Sequence, residues 1–166
     1  MSERPTSTDA SAASAPRWRV RPMHRSDLDA VMRIEQAIYP FPWTPGNFGD
    51  SLKSGYDAWV FESARALIGY AVLMWIPDEV HLLNISVAQP LQGRGYGRAM
   101  LDWLCEDARR RGARAVMLEV RPSNVVARAL YASKGFTQIG LRKRYYPAHG
   151  DSREDALVLR RMLVDE

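Results

Sequence analysis

A chain of 166 residues, 46% hydrophobic and 25% charged, with a formal charge of +4, has the length and balance of one domain with a core of its own. No apolar run is long enough to cross a bilayer, and the single cysteine, Cys105, rules out an internal disulfide. The basic excess lies in the short clusters Arg109-Arg110-Arg111, Arg142-Lys143-Arg144 and Arg160-Arg161, which solvated helix ends and strand edges commonly carry, so an anionic partner is permitted and direct nucleic-acid binding is not expected.

Residues 1–16 are rich in Ser, Ala, Thr and Pro and carry too little apolar surface to order themselves; they are expected to form a disordered tail ahead of one domain over 17–166. No signal-type apolar segment is present, which points to a cytoplasmic protein. Trp18 to Met23 alternates as a first strand. Ser26 or Asp27 then caps a helix with Leu28, Val31, Ile34 and Ile38 at helical spacing, ended by Pro40.

Phe41-Pro42-Trp43-Thr44-Pro45 is a proline-stiffened connection, and Thr44 can cap a short helix carrying Phe48 and Leu52. Phe41 and Trp43 either plug a core edge or wall a substrate groove; rigid aromatics lose little entropy on meeting a ligand. Three strands follow, from Ala58 to Glu62, Leu67 to Trp75 and Val80 to Val87, with turns at 63–65 and 77–79.

The third of these strands feeds a helix, from about Gly97 to Arg111, through Gln92-Gly93-Arg94-Gly95-Tyr96-Gly97. Glycines let a loop backbone approach a ligand, and the first N–H groups of a helix favour an anion such as a pyrophosphate. A Walker loop needs Lys-Ser/Thr where Arg98-Ala99 stands, and the dinucleotide spacing Gly-x-Gly-x-x-Gly is absent.

After Gly112, Ala115 to Val120 reads as a buried central strand, Ser123 or Asn124 opens a helix closed by Gly135, and Phe136 to Tyr146 and Asp155 to Leu163 read as the last strands. The order β-α-α-β-β-β-α-β-α-β-β gives an α/β fold: a mixed sheet with helices on both faces.

Glu119 is the lone charge in an apolar strand. It is either hydrogen-bonded at the strand end, to backbone or Arg121, or it works as a general base. Tyr131 is either a core residue with its hydroxyl at the surface or a phenol aimed at a leaving group. His24, His81 and His149 are scattered, so no metal site is expected. Cys105 lies on the apolar side of its helix, which argues against a covalent acyl-enzyme.

The spacing Gln92-x-x-Gly95-x-Gly97 resembles the coenzyme A pyrophosphate loop of the GNAT superfamily of N-acetyltransferases. Together with Phe41-Pro42-Trp43, Asn84-Ile85-Ser86-Val87, Leu118-Glu119-Val120-Arg121-Pro122-Ser123-Asn124, Ala129-Leu130-Tyr131, Gly135-Phe136, Tyr145-Tyr146-Pro147 and Arg153-Glu154-Asp155-Ala156, it resembles the ribosomal-protein-alanine N-acetyltransferases of that superfamily over roughly 18–163.

The resemblance implies a mixed, mostly antiparallel sheet of about six or seven strands, with acetyl-CoA as cosubstrate. It implies Glu119 as general base and Tyr131 as general acid. Ile85, Ser86 and Val87 would meet the acetyl and pantetheine groups, Gln92, Gly93, Arg94, Gly95, Tyr96, Gly97 and Arg98 the pyrophosphate, and Asn124 a further part of coenzyme A. Phe41, Trp43, Tyr145 and Tyr146 would border the acceptor groove.

The expected acceptor is the N-terminal α-amine, an alanine, of a small-subunit ribosomal protein, modified by a monomer or weak dimer. Lysine or small-amine acetylation, and a non-catalytic coenzyme A sensor or RNA-docking module, are the rival readings. An α-amine titrates near 7.7 to 8.0 and a lysine near 10.4, a gap worth roughly 3.5 kcal/mol, so a single carboxylate suits the α-amine better. Two features depart from the family pattern: the added tail, and a longer loop at Ala148 to Ser152 beside the acceptor site.

Overall fold

The computed structural model of the chain describes residues 18–64 and 66–164; the tail expected at 1–16 lies outside the described residues, as does Arg65 in the turn at 63–65. In chain order the elements are β1 (Arg19–Pro22), α1 (Leu28–Ile38), α2 (Pro45–Lys53), β2 (Asp57–Glu62), β3 (Leu67–Ile76), β4 (Glu79–Val87), α3 (Tyr96–Arg110), β5 (Ala115–Val120), α4 (Val125–Ser133), β6 (Thr137–Pro147) and β7 (Arg153–Met162). The strands form one seven-stranded sheet in the order β1-β2-β3-β4-β5-β7-β6. Every neighbouring pair is antiparallel except β4 and β5.

Each face of the sheet carries its own core. On one face, Met100, Leu101, Leu104, Cys105 and Ala108 of α3 pack with Tyr131 of α4 on Leu82, Val116, Leu118 and Val120. On the other, Val31 and Met32 of α1 and Phe48 of α2 pack on Ala58, Val60, Tyr70 and Val72. Two turns of helix per heptad place residues three and four apart on one side, which is why α1 turns Val31, Met32 and Glu35 inward together.

Local chemistry fixes the helix ends. Thr44 Oγ1 accepts the Asn47 N–H at 3.1 Å while Asn47 Oδ1 accepts the Thr44 N–H at 2.8 Å, a reciprocal cap that starts α2. Asp27 does not cap α1 with its side chain. Its carboxylate instead accepts the His24 N–H at 2.7 Å and is gripped by both terminal nitrogens of Arg21, which also binds Glu62 of β2.

Two irregularities shape the centre of the molecule. Val72 faces Asn84 but Leu73 faces Leu82, so Leu83 is an extra residue, a bulge in β4. The parallel pairing of β4 with β5 runs from Glu79↔Ala115 to Leu82↔Leu118 and stops there. Beyond the bulge the two strands part, and the β5-facing edge of β4 from Leu83 onward has no strand partner. The second irregularity is in β6, where Arg142 pairs Ala156 and Tyr146 pairs Glu154, so the bulged stretch Lys143 to Tyr145 stands opposite Asp155.

Candidate active site

A cavity of about 670 Å³ opens where β4 and β5 part. Leu82 to Ile85 line it from β4, Leu118 to Arg121 from β5 and its end, Asn124 from the cap of α4 and Tyr131 from α4 itself, and Phe41, Trp43, Tyr146 and His149 from the surrounding loops and β6. Of the residues expected from the sequence, Ile85, Glu119, Asn124, Tyr131, Phe41, Trp43 and Tyr146 therefore meet at one cavity. Ser86, Val87, Tyr145 and the glycine loop lie outside its wall.

Strand alternation divides the work. Leu118 and Val120 face α3 and α4, so Glu119 between them points to the opposite face, while Tyr131 enters from the α4 side. Both reach the same cavity because the sheet is open there. Glu119 is nearly enclosed, its side chain 7% exposed. Its Oε2 is in contact with Nε2 of His81, and Arg142 Nε comes to 3.2 Å of Oε1. That approach is not aligned for hydrogen bonding, and Oε1 is the one fully buried side-chain oxygen or nitrogen among the described residues left without a hydrogen bond. The alternative in which Arg121 holds Glu119 fails, because Arg121 donates to the Pro147 carbonyl at 2.8 Å and to Glu154 at 3.2 Å.

Tyr131 is 7% exposed. Burial pushes its phenol well above the usual tyrosine range, so it stays protonated and able to donate at neutral pH. Asn124 caps α4 through Oδ1, which accepts the Ala127 N–H at 3.2 Å, and the cap leaves the amide NH₂ unused.

The glycine loop sits at the start of α3. Gly93 and Gly95 have φ of +75° and +88°, which a side chain would strain. Ala99 is the first residue to bond back into the helix, to Gly95 at 3.1 Å, so the N–H groups of Tyr96, Gly97 and Arg98 have no partner inside α3. Gln92 donates its side-chain amide to the Val87 carbonyl at 3.1 Å and ties the loop to the end of β4. With Arg94 and Arg98 alongside, this arrangement fits a diphosphate.

The side of the cavity formed by the 41–43 connection and β6 is framed by aromatic rings. Arg121 lies over Tyr146 at 4.4 Å and over Phe41 at 5.5 Å, and Tyr145 stacks edge-on to Tyr146 at 4.9 Å. The β6 bulge turns Tyr146 inward and leaves Tyr145 exposed. Arg144 there takes a left-handed φ of 53°, held by its N–H on Asp155 and its carbonyl on Arg153.

Sequence reading missed a buried polar network behind this wall. Glu35, 1% exposed, accepts the Tyr70 hydroxyl at 2.5 Å, the Trp43 N–H at 3.0 Å and the Asn84 amide at 3.3 Å. Ser86 donates to Asn84 Oδ1 at 2.7 Å and shares a 2.8 Å bond with Tyr39, whose hydroxyl also donates to the Ile85 carbonyl. The Ser86 side chain is thus turned into the network, away from the cavity. A charge at the buried phase of α1 was the available signal, since Glu35 stands four residues after Val31. His81 carried no comparable signal, because only the tertiary fold brings it to Glu119.

Comparison with known proteins accords with this geometry. The model of the acetyltransferase (GNAT) family matches residues 28–136. The chain is 36% identical over 137 residues, 82% of it and 92% of the relative, to the [ribosomal protein bS18]-alanine N-acetyltransferase of Escherichia coli strain K12. It is 35% identical over 133 residues, 80% of it and 92% of the relative, to the protein of that name from Haemophilus ducreyi. The crystal structure of the ribosomal-protein-S18-alanine N-acetyltransferase from Escherichia coli superposes with a TM-score of 0.83 at 33% identity, covering 90% of this chain and 96% of that one. Sequence and fold agree with the parted strands at the sheet's centre, and the chain belongs to the GNAT family of acetyltransferases.

Proposed function

We propose that this acetyltransferase moves acetyl from acetyl-CoA to the N-terminal α-amine, an alanine, of a ribosomal protein in the cytoplasm, by direct transfer in a ternary complex. The observation that carries the reading is the meeting of Glu119, whose buried Oε1 has no hydrogen bond, and the protonated Tyr131 on one cavity between the parted strands. The names of the 33–36% identical relatives support the choice of acceptor.

Acetyl-CoA supplies the thioester. The backbone of Gly93 to Arg98 binds its diphosphate, and the unpaired edge of β4 at Leu83 to Val87 lies along its pantetheine arm and polarises the acetyl carbonyl. An ammonium that becomes an amide loses two protons. Glu119 Oε1 takes these two protons in turn, directly or through water, and passes one to solvent and one, by way of water, back to Tyr131, which has given its phenolic proton to the departing sulfur. Cys105 is buried in α3 and outside the cavity wall, and burial pushes its thiol up, which supports direct transfer over an acetyl-enzyme.

Steady-state assays with an alanine-first peptide, the same peptide with its amino terminus blocked, and a blocked peptide carrying lysine test the acceptor. Turnover should be confined to the free amino terminus. Equal turnover of the blocked lysine peptide would identify a side-chain acetyltransferase instead.

A further inference from the structure

His81 has no part in the reading above, yet it touches the residue at its centre. On β4 it pairs with Met117 of β5, and Glu119 follows two residues on, on the same face, so the imidazole reaches forward across the parallel pair to the carboxylate. Both side chains are enclosed, at 10% and 7% exposure. The contact uses Nε2 and Oε2, while Oε1 is left buried and unbonded. The other groups facing the carboxylate are Arg142 and Tyr146, both from β6; Arg142 is half exposed and unaligned, so an incoming amine can displace it.

Resting on the assignment of Glu119 as base, we propose that His81 is a positioning residue that makes Oε1 the proton-accepting atom. Its Nε2–H donates to Oε2 and fixes the carboxylate about its terminal torsion, which is broad and roughly two-fold when nothing holds it. A single oxygen then faces the acceptor nitrogen. The proton of the attacking amine goes to Oε1 and leaves from there; the imidazole holds its own proton throughout. Without that hold the carboxylate would rotate to pair both oxygens with the Arg142 guanidinium, whose Nε already lies 3.2 Å from Oε1, and lose the alignment that proton transfer requires.

Three enzymes, H81Q, H81L and E119Q, and the two double variants on E119Q, separate this role from simple packing. Glutamine can donate from its amide at about the reach of Nε2, whereas leucine fills the space and donates nothing. With an alanine-first peptide, H81L should lose about 100-fold in kcat while its affinity for acetyl-CoA is kept, and H81Q should recover at least about 10-fold of that loss. On the E119Q background neither change should cost more than about 2-fold, because nothing remains to be positioned. H81L as active as the parent, H81Q as poor as H81L, or an undiminished cost on E119Q would each overturn the proposal. If H81L fails to bind acetyl-CoA, H81A takes its place in the same comparison. Full activity in E119Q would remove the base assignment itself, whereas an inactive E119Q beside an unimpaired H81L removes only the role of His81.

Discussion

Two side chains, proposed as the base and acid of the transfer, reach one cavity from opposite faces of the sheet. Glu119 is enclosed with Oε2 on His81 and Oε1 without a hydrogen bond, and Tyr131 is held protonated by burial. Removing either changes the chemistry without touching the diphosphate loop. Glu119→Gln should lower kcat by about 100-fold or more, the scale of a lost general base, and Tyr131→Phe should lower it by about 10-fold to 100-fold. Isothermal titration should show acetyl-CoA affinity in both variants within about 3-fold of the parent, since neither residue meets the helix N-terminus proposed to hold the anion. The candidate pair was legible in the sequence as a charge in an apolar strand and a tyrosine on the next helix. Their shared cavity was not legible, because it depends on two strands that part.

At the scale of elements, the wall proposed for the acceptor is built by structures that leave little trace in composition. The Leu83 bulge ends the β4 to β5 pairing, and a bulge in β6 aims Tyr146 inward; neither has a glycine or proline to announce it. The Phe41 to Thr44 connection is anchored from behind by Glu35, which takes the Trp43 N–H and the Tyr70 hydroxyl at once. Removing a buried acceptor strands its donors, so Glu35→Ala should cost about 2 to 4 kcal/mol in a denaturant titration. It should also raise the KM for the peptide more than that for acetyl-CoA, because the loop it anchors borders the acceptor side. Equal effects on the two KM values would show that the network supports the fold alone. Helix starts were easier to read: Thr44 and Asn124 cap where their side chains predict, while Asp27 is diverted by Arg21, a tertiary partner that local propensity does not include.

For the whole molecule, the strand count, the helices on both faces and the glycine loop followed from periodicity and turn residues, and the final β-strand order required the tertiary structure. Among the described residues no helix is long and apolar enough to cross a membrane. The tyrosines around the cavity bear on stability as a group. Burial pushes Tyr39 up to about 12, and Tyr70, Tyr131 and Tyr146 move in the same direction. A pKa raised on folding means that the native state holds its proton more tightly than the unfolded chain. The corresponding stability is fully present below pH 10 and is lost as pH climbs through the folded values. Denaturation midpoints should therefore fall steeply above about pH 10, and Tyr39→Phe should make that fall shallower between about pH 10 and 12.

The most direct measurement is a crystal structure with a bisubstrate ligand in which coenzyme A is joined through an acetyl bridge to the amino terminus of an alanine-first peptide. Its diphosphate should lie on the Gly93 to Arg98 backbone, its sulfur within reach of the Tyr131 hydroxyl, and its alanine nitrogen toward Oε1 of Glu119, with the peptide leaving past Phe41 and Tyr146. A sulfur lodged away from Tyr131, or a peptide nitrogen on the far side of the sheet from Glu119, would contradict the assignment of both residues.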